Sequence, residues 1–509
     1  MRTQKSIVNF SVALAGQIIA LIVSIIARTV FLQFLNAEYL GLASLFTNVL
    51  TMLSLVELGI GPAMSFSLYR PLAQNDVEKI KSLMRLYRRA YTIIGIVVLV
   101  LGVCFTPFYR LLIAQTPDIP HLDFIYLLFV ANTGVSYFFA YKRALVMSDQ
   151  NRYIATIFRY AFYIILNTAQ IFVLCLTQNY ILFLALQIMS TILENISLSY
   201  KVTKMYPYLK EKTVKKLTTE DLTGIRKNVG AMLLHKIGSL VVNSTDSIII
   251  AKFVGLAAGG LYSNYQLVLT ALNAFIYNVF DSITAGIGDL NAQHETKKME
   301  IVFWRVFFAD FCIYGFCSIC LAVLFAPFIS LFFGAKYLLD IGTTSVLIVN
   351  FFLAGMRMSA LSFREATGAY YYDRYKPLFE SVINLAVSIY LVQKIGIMGV
   401  FVGTGVSMLT TCFWIEPYVV FKYVLKIPLR RYFLRYGCYT VIGIAIGAVT
   451  VGVATLLPAT GFLAFVARML LCIAVPLPLF WLVFHRTPEY SYYLELAQGL
   501  LHKIKSKQK

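Results

Sequence analysis

Apolar runs recur along the chain, each long enough to cross about 30 Å of hydrocarbon and each closed by a short polar cluster. Fourteen such runs centre near residues 18, 54, 101, 134, 166, 190, 239, 272, 317, 354, 386, 409, 445 and 473. The pattern predicts an all-α integral membrane protein with about fourteen transmembrane helices. Within the runs, polar residues are not scattered but fall at helical spacing, which places them on shared faces. Gln17, Ser24 and Arg28 make one stripe in the first span, and Ser44, Thr47, Thr51, Ser54 and Glu57 follow in the second. Span seven carries Lys236, Ser239, Asn243 and Asp246, and span eight carries Gln266, Thr270, Asn273, Tyr277 and Asp281. Asn350, Arg357 and Arg364 align in span ten.

The chain also repeats itself. "LGVCFTPFYRLL" (101–112) matches "LAVLFAPFISLF" (321–332), "KRALVMSDQNRY" (142–153) matches "REATGAYYYDRY" (364–375), and "GLAS" (41–44) matches "GLYS" (260–263). The offsets all lie between 219 and 222 residues. Two six-helix lobes are expected, 1–205 and 228–425, joined by a basic linker at 206–227. Residues 426–509 then form two extra helices and a basic tail. An even span number makes the two lobes a parallel repeat, an architecture of transporters that hold their substrate between lobes. The linker is expected to be a solvated loop.

Composition agrees with the span pattern. The 509 residues are 59% hydrophobic and 13% charged, against about 25% charged in soluble domains. The net charge of +20 sits in clusters between spans rather than on one binding face, so it points to orientation rather than to nucleic acid. With both termini cytoplasmic, only Arg110, Lys252, Lys336 and Lys394 fall outside, and Arg28, Lys236, Arg357 and Arg468 lie within spans. The first apolar stretch is too long for a signal-peptide core and is expected to be an uncleaved span. No G-x-x-x-x-G-K-[ST] phosphate loop occurs. Cys317 and Cys320 have C-x-x-C spacing, but inside an apolar run they are expected to act as small hydrophobes. No cofactor, metal site or catalytic set is expected.

An ion at mid-depth is costly and usually faces a cavity or a partner helix. The stripes therefore predict a hydrated cavity, with Arg28, Gln17, Ser24, Lys236, Asn243, Asn273, Tyr277 and Arg357 as its candidate substrate contacts. Glu57, Asp246 and Asp281 are the candidate coupling or gating charges. Arg28 and Asp246 lie at nearly equivalent depths in the two lobes and are a candidate switching pair; the alternative is that Arg28 snorkels to the interface. Glu194, Asp310 and Arg468 are expected to be structural.

Two stretches carry a family resemblance: "ARTVFLQFLNAEYLGLASLFTNVLTMLSLVELGIGPAMSFSLY" and "NSTDSIIIAKFVGLAAGGLYSNYQLVLTALN". The chain resembles the polysaccharide-transport branch of the multidrug/oligosaccharidyl-lipid/polysaccharide exporter (MOP) superfamily, the Wzx-type flippases. The resemblance implies a V-shaped pair of lobes, alternating access and a bacterial cytoplasmic-membrane location. It implies as cargo an undecaprenyl-pyrophosphate-linked oligosaccharide repeat unit for capsule, exopolysaccharide or O-antigen. Membrane lipids are expected partners, with a polysaccharide polymerase and glycosyltransferases beside them. The related peptidoglycan-precursor flippases carry cavity arginines in spans 1, 2 and 8. Arg28 matches the first in kind, whereas spans 2 and 8 here carry Glu57 and Asp281, which leaves Lys236 and Arg357 as candidate substitutes. The nearest alternative is a multidrug–cation antiporter of the same superfamily. A membrane glycosyltransferase or polymerase is the remoter one, since no acidic catalytic constellation or large external loop is present.

Overall fold

Hydrocarbon offers no water to backbone N–H and C=O groups, so a spanning segment satisfies them internally as a helix. The computed structural model describes the chain except residues 1, 58–59, 116, 139, 150, 212–214, 216, 224, 226–228, 230–243, 293–295, 459 and 508–509. Among the described residues all regular structure is helical. Eleven helices are long and apolar enough to cross a membrane, or twelve if the bent pair Leu122–Tyr137 and Ala140–Ser148 counts as one. The expected total of fourteen differs at two places. Near residue 54 the span is broken: a 17-residue helix (Ala37–Leu53) runs into a 3-10 turn (Ser54–Glu57) before a new helix starts at Ile60. Pro62, in that helix's first turn, lacks an N–H for any preceding turn, which suits it to a restart. The segment expected near residue 239 lies mostly outside the described residues, and helix is seen at 244–253.

The chain divides into two compact units, 1–264 with 388–400 and 265–387 with 401–509. The first contains α1 (Arg2–Phe34), α2 (Ala37–Leu53), α3 (Ile60–Gln74), α4 (Val77–Cys104), the bent pair α5 (Leu122–Tyr137) and α6 (Ala140–Ser148), α7 (Arg152–Thr177) and α8 (Tyr180–Met205). Helix α1 lies along α7. Gly16 allows the approach, because a Cβ there would sit 2.1 Å from the Tyr160 ring. A buried cluster in this unit includes Met64, Leu83, Met84, Tyr87, Leu145 and Val202.

Over its described residues the linker is not simply a solvated loop. Tyr206, Tyr208, Leu209 and Leu217 pack on that cluster, since the segment intersperses apolar side chains among its charges. Its polar groups are matched too: Lys79 meets Asp221 at 2.8 Å and Lys81 meets Glu211 at 2.7 Å. The Ser82 hydroxyl donates to the Lys215 carbonyl at 2.8 Å. Hydrogen bonds from Lys79 and Thr218 hold the Asp221 carboxyl below its ordinary range.

The second unit is built on α10 (Thr296–Phe332), which follows the long α9 (Leu256–Ala292). Next come α11 (Ile341–Gly355), α12 (Met358–Thr367), α13 (Lys376–Ile395) and the span α14 (Ile397–Leu425), of which 388–400 counts with the first unit, then α15 (Arg430–Ala454), α16 (Phe462–Ala474) and α17 (Pro476–Phe484). The C-terminal helices are joined to α10 by rings. Phe311 stacks on Tyr439 of α15 at 4.6 Å between centroids and meets Phe480 and Phe484 of α17 edge-on. Gly315 and Gly443 leave room for the Phe311 ring.

Candidate functional site

In the second unit, α14 is not a regular helix. Two π-helical turns, Met408–Cys412 and Val420–Leu425, flank the α-helical Phe413–Val419. Pro417 lies inside that segment and cannot donate to the turn before it. Such wide turns cluster at functional sites, and here they bracket Glu416, which is fully buried.

Three cations converge on Glu416. Arg357, at the break between α11 and α12, donates Nε to Oε2 at 2.9 Å and Nη2 to Oε1 at 2.6 Å. Lys376 Nζ reaches Oε1 at 2.5 Å, and Arg364 lies 3.7 Å away. Glu380 stands 3.6 Å from Lys376 and 3.9 Å from Arg357, while Arg364 also pairs with Asp373. Three positive and three negative groups thus close a neutral network, which is the condition for keeping ions out of water. The break that sets Arg357 in place is itself held: the buried Asp310 carboxyl accepts from the Ser359 N–H at 2.6 Å, satisfying one backbone donor in the first turn of α12.

The first unit holds its cation differently. Arg28 of α1 donates Nη1 to Ser263 Oγ at 2.8 Å and toward Asn264 Oδ1 at 3.4 Å. Ser263 is free to accept because its own proton goes to the Gly260 carbonyl. Asn264 is fully buried. Among the described residues, the side chains that accept from Arg28 are therefore neutral ones.

This contact has a twin. The Ser44 hydroxyl meets Ser247 Oγ at 3.1 Å, and an offset of 219 carries Arg28 onto Ser247 and Ser44 onto Ser263. The same offset relates the backbones around it. A Cβ on Gly41 would sit 1.8 Å from the Leu256 carbonyl oxygen, and one on Gly260 would sit 1.9 Å from that of Ala37. The "GLAS" and "GLYS" glycines are thus the two reciprocal halves of one close crossing within this unit. In sequence Arg28 and Asp246 lie at nearly equivalent depths, at an offset of 218. The crossing registers Arg28 with Ser247, and Asp246 is one residue before it, about 100° away around the helix.

The other candidates are placed as follows. Gln17 and Ser24 are half-buried on α1, with Ser24 donating to the Leu21 carbonyl. Glu57, in the 3-10 turn, accepts from the Tyr91 hydroxyl at 3.4 Å. Asp246 is buried. Asn273, Tyr277 and Asp281 form an exposed stripe along α9, in the second unit. Lys236 and Asn243 lie outside the described residues. Glu416, Lys376 and Glu380 are not singled out by span reading. The available signals were a Glu-Pro pair inside an apolar run and the i, i+4 spacing of Lys376 and Glu380. Of the residues expected to be structural, Glu194 pairs with Arg143, and Arg468 donates to the Leu457 carbonyl.

By sequence, the chain matches no protein-family model and no curated protein. By structure it superimposes on known transporters. An inward-facing multidrug resistance MATE family transporter of the MOP superfamily aligns with a TM-score of 0.65 at 14% identity, covering 81% of this chain and 97% of that one. The lipid II flippase MurJ, in an inward closed conformation, aligns with a TM-score of 0.65 at 12% identity. The fold is that of MATE and MurJ. The MurJ alignment covers 93% of this chain and 98% of that one. A Vibrio cholerae MATE transporter aligns with a TM-score of 0.58 at 13% identity, covering 84% of this chain and 99% of that one. The chain thus has the multi-pass helical membrane fold of those proteins.

Proposed function

We propose that this chain is a flippase that carries undecaprenyl-pyrophosphate-linked oligosaccharide repeat units across a bacterial cytoplasmic membrane, from inner to outer leaflet, by alternating access. Arg28 carries the reading. Its guanidinium is held in place by a serine and an asparagine rather than neutralised by a carboxylate among the described residues. Its remaining N–H groups form a planar donor fork suited to phosphate oxygens. Arg357 is in the opposite condition, already engaged by Glu416 on two edges, so Arg28 makes the first contact with the pyrophosphate. The polar stripe of Asn273 and Tyr277 supplies partners for sugar hydroxyls, and the lipid tail remains in the bilayer. The breadth of the MurJ alignment, 93% of this chain against 81% for the MATE transporter, also supports a flippase.

The test is a deletion strain complemented by the wild type or by Arg28→Lys. Lipid-linked repeat units should accumulate on the cytoplasmic side in the deletion strain and with Arg28→Lys, because an ammonium keeps the charge but loses the fork. Normal outward transport in the deletion strain would refute the reading. The second reading, a multidrug–cation antiporter, is favoured by the equal TM-score of the MATE transporter and the exposed Asp281. It requires that the same deletion raise sensitivity to lipophilic cations and leave lipid-linked units unaffected.

A further inference from the structure

The second unit has a cleft of about 460 Å³ where α9, α12 and α14 end, within the range of small-molecule sites. Its walls include Asn291, Thr367, Tyr371, Tyr372, Tyr423 and Lys426. Tyr372 and Tyr423 stack almost in parallel, 3.9 Å apart at 4°. Both rings nevertheless stay open to solvent, Tyr372 at 56% and Tyr423 at 39%, and Tyr371 beside them is 64% exposed.

Exposed tyrosines at the end of a membrane helix usually belong to an interfacial belt. Belt residues need no concavity, and these rings face one. Gly368 and Lys426, with φ of 70° and 56°, end the helices in left-handed turns and open the cleft between them. Cations brace the rings from outside it: Arg374 lies 4.5 Å from the Tyr371 centroid and Lys422 lies 5.4 Å from that of Tyr423. Among the described residues no carboxylate lines the cleft, which disfavours a cationic guest. Flat aromatic faces beside an amide, hydroxyls and one ammonium match a ring with an apolar C–H face and a hydroxyl-bearing edge.

We propose that this cleft binds hexopyranose units, neutral or acidic, with Tyr372 and Tyr423 as the stacking platform and Lys426 and Asn291 as donors to the sugar edge. It rests on the reading of a glycan cargo and assigns that glycan a docking point on the second unit, built from residues other than those around Arg28. Stacking recognises the C–H face that hexopyranoses share, so the proposal does not depend on one sugar.

The experiment uses the purified full chain in lipid nanodiscs. Its probes are cellotetraose and a hyaluronan tetrasaccharide, read by saturation-transfer-difference NMR. Saturation of the sugar ring protons is expected with the wild type and with Tyr372→Phe, which keeps the ring. Tyr372→Ala should weaken binding about five- to tenfold, the scale of one lost aromatic contact. Transfer to neither tetrasaccharide, or transfer unchanged by Tyr372→Ala, overturns the cleft proposal. The export assay separates the two readings. Blocked export with Arg28→Lys alongside unchanged sugar binding in Tyr372→Ala would remove the cleft and leave the flippase. Normal export in the deletion strain with Tyr372-dependent sugar binding would do the reverse.

Discussion

Glu416→Gln is the sharpest test of the buried network. The substitution keeps size and one acceptor oxygen, so its effect isolates charge. Wild-type Glu416 faces Arg357 through two hydrogen bonds, Lys376 at 2.5 Å and Arg364 at 3.7 Å. Without its charge, Arg364 retains Asp373, but Arg357 and Lys376 must share Glu380 at 3.9 and 3.6 Å. The network then carries one unpaired positive charge away from water. Breaking a buried pair from one side costs about 3–5 kcal/mol, and the retained acceptor argues for the lower end, about 3 kcal/mol. Arg357→Met added to Glu416→Gln restores neutrality and should recover part of that loss, with a coupling of about 1–3 kcal/mol. Reversible unfolding in mixed micelles, followed for both single variants and the double, measures each term. A Glu416→Gln variant that unfolds within about 0.5 kcal/mol of wild type, the range of ordinary surface changes, would show that the charge is not needed there. A double variant that loses the full sum of the singles would show that the two residues are not coupled.

The crossing of α2 and α9 makes a second claim. Gly41→Val and Gly260→Val should each lower folded yield in size-exclusion profiles, at the upper end of the about 1–3 kcal/mol typical of overpacking. The obstacle in both is a backbone carbonyl that no rotamer change can move. The docked linker makes a third, through Asp221. Because its carboxyl is held below the ordinary 3.8, its contribution is complete above that pH and is lost as pH falls through the depressed value. Proteolysis within 206–227 should therefore quicken at low pH, and Asp221→Asn should produce the same cleavage at pH 7. Equal cleavage of wild type and Asp221→Asn at pH 7 would count against docking through this pair.

The sequence by itself determined the helical class, the membrane setting and the repeat. Each follows from one-dimensional quantities: the length of an apolar run, the polar clusters that close it, and the recurrence of "GLAS" as "GLYS". It also singled out Arg28, because an ion in a long apolar run has few structural excuses. Tertiary structure alone decided what those residues meet. Arg357 reads as a cavity cation along the chain, yet it is tied to a carboxylate 59 residues away. The π-turns of α14 shift the helical phase that spacing arguments assume. Charge count made 206–227 a solvated loop, yet its apolar side chains found a buried cluster to cover. Asp246 and Ser247 are neighbours in sequence, but the reciprocal glycine crossing chose Ser247 as the counterpart of Arg28. Hydropathy settles whether a side chain leaves water, whereas helix rotation and register settle which side chain it then faces.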